Sequence, residues 1–86
     1  IIRPTLLGLQ KRHFLFRGVI FIGLMLTPNG PQVLEYNVRF GDPETQTILP
    51  LLKSTGAEND WCSVLKAVSE GRVPVLQWRK EAVACI

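Results

Sequence analysis

Apolar and polar positions alternate through residues 32–40. Read as an extended strand, they place Leu34, Tyr36, Val38 and Phe40 on one face and Glu35, Asn37 and Arg39 on the other, because side chains alternate with period two. The apolar set predicts a face laid against a core. Upstream, residues 15–27 form a second strand rich in β-branched and aromatic residues, and its apolar centre at 18–26 predicts burial. The turn Thr27-Pro28-Asn29-Gly30-Pro31 separates the two runs. So short a connection makes an antiparallel hairpin, pairing 15–27 with 32–40. Gly23 falls inside the first strand, where glycine marks a bulge or the close approach of another group.

Helical spacing takes over elsewhere. Residues 4–12 predict the end of a helix with Leu6, Leu7 and Leu9 inward and Lys11 and Arg12 in its last turn, where cations suit the dipole. Asp42 is placed to cap a helix starting near Pro43, with Glu44 in its first turn. That helix would carry Ile48, Leu51 and Leu52 inward and kink or end at Pro50. Residues 53–60 predict a loop, and residues 60–70 a second helix with Trp61, Val64, Leu65 and Val68 on one face, stopped by Gly71. Residues 73–76 and 82–86 are strand-like. The fold class is α/β in the broad sense and α+β more narrowly: an antiparallel hairpin or small sheet packed against helices.

Composition narrows the functional classes. At 86 residues, 47% hydrophobic and 20% charged, the chain is globular in character and long enough for one small domain or a piece of a larger one. A net charge of +3 with scattered Lys and Arg forms no basic stripe interleaved with aromatics, so nucleic acid is not an expected partner. Cys62 and Cys85 have neither metal spacing nor the number for a disulfide framework, and predict reduced thiols in a cytoplasmic protein. Residues 18–26 fall short of the roughly 20 apolar residues that a membrane helix needs, and no membrane partner is expected.

The polar face of the second strand carries the candidate chemistry. Glu35, Asn37 and Arg39 follow one another at about 6.5–7 Å along an ideal strand, and Gly41 then breaks it ahead of Asp42-Pro43-Glu44. A carboxylate and an amide oxygen suit a magnesium ion that keeps water and phosphate oxygens in most of its shell. An arginine beside them can fork onto phosphate or acyl-phosphate oxygens. The same residues also read as a solvated strand face, with Arg39 in a surface ion pair to Asp42 or Glu44. Arg17 can be a structural cap, His13 a helix-end residue, and Trp61 and Trp78 packing groups. Ser63 and Ser69 lack an adjacent base.

The run Leu34-Glu35-Tyr36-Asn37-Val38-Arg39-Phe40-Gly41-Asp42-Pro43-Glu44-Thr45-Gln46 resembles the signature segment of the phosphoribosylamine–glycine ligase (glycinamide ribonucleotide synthetase) family of ATP-grasp enzymes. The resemblance covers residues 14–52, with a weaker echo at 64–73 and 82–86. It implies that Glu35 and Asn37 hold a Mg2+ (or Mn2+) bridging the ATP phosphates and that Arg39 stabilises the transferred phosphoryl group in a catalytic role. Arg39, Gly41, Asp42 and Glu44 would bind substrate. Other ATP-grasp enzymes carry a further acidic ligand across the hairpin; counting back reaches Gly23, where the resembled family also has glycine.

By the same resemblance residues 1–86 are a partial ATP-grasp domain, with the upstream nucleotide-covering region and the C-terminal domain absent. The implied partners are ATP, glycine and phosphoribosylamine, together with the rest of a parent enzyme that in some eukaryotes is fused to other purine-pathway domains. Two alternatives stay open at this point. One is another ATP-grasp carboxylate–amine ligase, and the other is a non-catalytic fragment whose vestigial site serves as a binding or scaffold piece.

Overall fold

The computed structural model describes residues 1–53, 60–72 and 75–86. Helix α1 (Ile2–Lys11) leads into a hairpin of β1 (Phe21–Thr27) and β2 (Gly30–Asn37), followed by α2 (Glu44–Ile48), a 3-10 turn (Leu49–Leu51) and α3 (Trp61–Ser69). The fold is α+β, with the antiparallel hairpin as its sheet. Pro4 is accommodated in the first turn of α1, where its missing N–H costs no helical bond. The helix ends at His13, which takes the left-handed conformation (φ 57°) while its own N–H and that of Phe14 return to Gln10 O and Leu9 O.

The hairpin closes tightly. Thr27 Oγ1 donates to Gly30 O at 2.8 Å and accepts from Asn29 N at 3.2 Å, and Gly30 supplies the positive φ of 96°. The ladder pairs Phe21 with Asn37, Ile22 with Tyr36 and Gly23 with Glu35, then slips so that Leu24 faces Val33. Leu34 is the extra residue of a β-bulge. The expected irregularity at Gly23 is therefore present, with the unpaired residue on the opposite strand.

Both strands are shorter than their sequence pattern. β2 ends at Asn37 and the chain bends at Val38 and Arg39. Residues 15–20, deprived of a ladder partner, are not strand, and Gly18 turns the chain there with φ 151°. Arg39 consequently stands beyond the strand end rather than third in a row upon it. Burial also differs from the pattern. Leu34 is 64% exposed, Val38 75% and Leu26 82%, and Leu6, Leu7, Leu24, Met25 and Tyr36 are exposed as well. A face is buried only when another element covers it, and among the described residues this sheet has two strands with α1 on one side. Thr5 Oγ1 meets Tyr36 Oη there at 3.0 Å. Among the described residues, the buried hydrophobic side chains are Leu52, Val64 and Ala67. The radius of gyration of 14.8 Å exceeds the roughly 12 Å of a compact domain this long.

The second half gathers around α3. Asp60 caps it, its carboxylate accepting from Ser63 N at 3.0 Å and Ser63 Oγ at 2.7 Å. Gly71 ends it at φ 77°, with Gly71 N and Arg72 N returning to Val68 O and Ala67 O at 2.9 Å. These bonds close a Schellman motif. Val64 faces inward as expected, Trp61 and Val68 are half-buried, and Ala67 is buried whereas Leu65 is exposed. Asp42 does not cap α2: the helix begins at Glu44 after Pro43, without a side-chain cap. Backbone carbonyls take the first-turn donors instead, Thr45 N going to Gly41 O and Gln46 N to Pro43 O at 3.1 Å. Pro50 ends the α-helical geometry in the 3-10 turn, as its sequence position demands.

Residues 54–59 of the expected loop and 73–74 of the expected third strand lie outside the described residues. Residues 75–76 and 82–86 hold no regular structure; the pairing that does form is a single antiparallel bridge between Leu52 and Trp78. Trp61 is a packing group. Its Nε1 donates to Leu49 O at 2.8 Å, and its ring stands edge-on to Phe40 at 5.9 Å and tilted to Trp78 at 6.2 Å. Arg17 is a cap, donating to Ser69 O at 3.1 Å where a cation complements the helix C-terminus.

Candidate functional site

The regular end of the hairpin builds the site. Directly opposed residues of an antiparallel pair share a face, so Phe21, Gly23, Glu35 and Asn37 lie together, while Ile22 and Tyr36 turn toward α1. The bulge at Leu34 precedes Glu35, so the step from Glu35 to Asn37 is ordinary strand and both side chains stay on one face. Glu35 is exposed and Asn37 half-buried. The Glu35 side chain lies across Gly23: a β-carbon placed on that glycine would sit 3.0 Å from Glu35 Cγ.

Arg39 reaches back to the strand. Its Nη2 donates to Asn37 Oδ1 at 3.4 Å and its Nη1 to Phe40 O at 2.8 Å. Among the described residues no ion pair joins Arg39 to Asp42 or Glu44; the ion pair present links Arg72 and Glu70. The guanidinium thus stays beside the amide oxygen even though it is off the strand. An open depression runs from it along Phe40, Gly41, Asp42, Thr45 and Gln46.

Gly41 is buried, and what approaches it is protein. A β-carbon there would overlap Glu44 Oε2 and lie 3.0 Å from two carbons of the Phe21 ring. Its carbonyl accepts from Thr45 N at 3.1 Å and from Thr45 Oγ1. Glu44 is thereby folded toward the Phe21 side, the side of Glu35 and Asn37, whereas Asp42 is exposed along the depression. Glu44 and Phe21 thus occupy the space beside the Gly41 α-carbon. Phe21 and Thr45, which hold this turn together, were not singled out from the sequence. Counted from the Pro28-Asn29 turn without a bulge, the hairpin register places Phe21 opposite Tyr36; the slip at Leu34 is what brings it opposite Asn37.

The donor set suits a hard divalent cation. Glu35 and Asn37 offer oxygen ligands on one accessible face, with no thiolate or imidazole beside them. Among the described residues there is no group of three or more His, Cys, Asp or Glu side chains that would cage an ion. A cation here would take two protein oxygens and fill its remaining positions from water and bound phosphates.

Comparison with known proteins bears on the same segment. The family model described as phosphoribosylglycinamide synthetase, ATP-grasp (A) domain, matches residues 1–45, more than half of the 86 residues. The chain belongs to the phosphoribosylglycinamide synthetase ATP-grasp family. A phosphoribosylamine–glycine ligase of Caldanaerobacter subterraneus is 43% identical over 100% of this chain and 20% of its own length. A bifunctional purine biosynthetic protein of Schizosaccharomyces pombe is 62% identical over 67% of the chain and 7% of its own length. A trifunctional purine biosynthetic protein of Drosophila pseudoobscura is 49% identical over 92% of the chain and 6% of its own length. The chain therefore spans a fifth or less of the length of these relatives. The family match ends at Glu44-Thr45, so it takes in Glu35, Asn37, Arg39, Gly41, Asp42 and Glu44. None of the described helices is long and apolar enough to cross a membrane.

Proposed function

We propose that this chain is the metal- and phosphate-binding strand segment of an ATP-dependent ligase that joins glycine to phosphoribosylamine. In that reaction the γ-phosphoryl group of ATP passes to the glycine carboxylate, giving an acyl phosphate and ADP. The amine of phosphoribosylamine then attacks the acyl carbon, phosphate leaves, and an amide is formed. Glu35 and Asn37 would hold Mg2+ (or Mn2+), which supplies charge neutralisation at the ATP phosphates. Arg39, whose guanidinium lies beside Asn37 Oδ1, would bind the transferred phosphoryl oxygens as the catalytic cation. Gly41 shapes the turn from which Asp42 and Glu44 would orient the amine or glycine.

The observation that carries this reading is the shared, solvent-open face of Glu35 and Asn37 with Arg39 at its end. It is supported by the names of the relatives, which are glycine ligases and multifunctional purine biosynthetic proteins. Those fused relatives also support a larger parent protein, of which residues 1–86 are one part of an ATP-grasp domain working in the cytoplasm. The exposed apolar faces of the hairpin and α1 are where the remainder of that domain would pack.

A chimera tests the reading. Residues 1–86 replace the matching segment of the Caldanaerobacter ligase, and ADP formation is followed with glycine and phosphoribosylamine. We expect turnover that depends on both substrates and falls by at least 100-fold in Glu35→Ala, with no turnover from the 86-residue chain alone. A chimera indifferent to Glu35→Ala would remove the proposed metal ligand, and one using a different amine acceptor would point to another ATP-grasp ligase.

A further inference from the structure

We propose that Gly23 is a positioning residue for Glu35: its bare α-carbon is the seat across which the glutamate side chain folds, and this fixes where the carboxylate stands. The functional consequence rests on Glu35 being the metal ligand proposed above; the packing does not. Gly23 and Glu35 are direct partners in the ladder. Opposed side chains of such a pair usually stand side by side, with β-carbons about 4.5–5.5 Å apart. Here one side chain is missing and the other leans into the gap. A β-carbon at position 23 would lie 3.0 Å from Glu35 Cγ, 3.6 Å from Oε1 and 3.8 Å from Cδ.

The backbone does not ask for glycine at this point. The glycines with positive φ are Gly18, Gly30 and Gly71, so Gly23 has a conformation open to any residue. Space is what selects it. The pair is also the last one before the register slips between Gly23 and Leu24, so the Gly23–Glu35 step is held from one side by the regular pairs Ile22–Tyr36 and Phe21–Asn37. That ladder fixes the height of Glu35 relative to Asn37 along the strand, and the seat on Gly23 fixes its lean across the sheet. Together they set the separation of the two oxygen donors. Magnesium holds its ligands at about 2.0–2.1 Å in near-octahedral geometry, so a carboxylate pushed aside by a few tenths of an ångström binds it less well.

Nuclear magnetic resonance on the full 86-residue chain tests the inference. In the wild type, nuclear Overhauser contacts are expected between the Gly23 α-protons and the Glu35 γ-protons. In Gly23→Ala the three-bond couplings that report Glu35 χ1 should shift to a different rotamer population. Mn2+ affinity, read by electron paramagnetic resonance, should fall by about threefold to tenfold, the range that an off-rotamer side chain carries. That loss should vanish in a Glu35→Ala background, because a seat matters only when something sits on it. Unchanged couplings in Gly23→Ala overturn the proposal, as does absence of the wild-type contacts, which need no variant to fold. Equal Mn2+ binding by the wild type and Glu35→Ala overturns the metal reading instead, and the couplings still decide the role of Gly23.

Discussion

Gly41→Ala is the substitution whose cost can be worked from the site itself. Gly41 is buried and is not among the positive-φ glycines, so alanine fits its backbone and meets only a steric obstacle. The new β-carbon overlaps Glu44 Oε2 and stands 3.0 Å from Phe21 Cδ2 and Cε2. The glutamate end can swing away into solvent. The phenyl ring cannot move so freely, because Phe21 is locked in the ladder opposite Asn37. Overpacking of this kind costs about 1–3 kcal/mol, and the half-buried state of Phe21 favours the lower part of that range. For a domain of this size each kcal/mol moves the melting temperature by about 4–8 °C. Circular dichroism at 222 nm and tryptophan fluorescence should both report a lower midpoint, since Trp61 packs on Phe40 next to the turn. Gly8→Ala is the matched control: nothing lies within 4 Å of its β-carbon position, and a helix interior gains about 1 kcal/mol from the exchange. A Gly41→Ala chain melting at or above the wild type would refute the steric argument.

Two other outcomes follow from local geometry. His13→Gly should raise stability by about 1 kcal/mol in thermal denaturation, because His13 holds the left-handed C-terminal position of α1 at φ 57°, where an L side chain is strained and glycine is not. The Ser63 hydroxyl and backbone N–H hold the Asp60 carboxyl below the usual carboxylate range. A group lowered on folding stabilises above its unfolded value of about 3.9 and loses that contribution as pH falls through the still lower folded value. The helicity of α3 should therefore be flat above pH about 5 and decline in acid, and Asp60→Asn should flatten the acid limb in a circular dichroism titration.

What could be read from the sequence was what is decided locally. The Pro28-Asn29 turn, the start of α3 beside Asp60 and the Gly71 stop each rest on a few neighbouring residues, and each is where the pattern put it. The shared face of Glu35 and Asn37 was legible for a narrower reason: the bulge falls at Leu34, one residue before them, and leaves the period of two intact. Arg39 was misplaced because a strand ends where its partner ends, and β1 begins only at Phe21. Its side chain nonetheless returns to Asn37. Asp42 failed as a cap because backbone carbonyls at Gly41 and Pro43 take the first-turn donors. Burial of Leu24, Leu26 and Leu34 was the least legible property. Apolar character says that a surface gains from being covered, at about 25 cal/mol per Å², but it does not supply the covering element.

The most direct test of the account is Mn2+ titration of the isotopically labelled chain, followed by paramagnetic broadening of side-chain signals. The Asn37 carboxamide and the Glu35 γ-protons should broaden first and together. The carboxamide of Gln32, on the far side of the bulge, should stay sharp, and Glu35→Ala should abolish the effect at Asn37. Broadening that spares Asn37, or that survives unchanged in Glu35→Ala, would contradict the claim that these two residues form one cation-binding face.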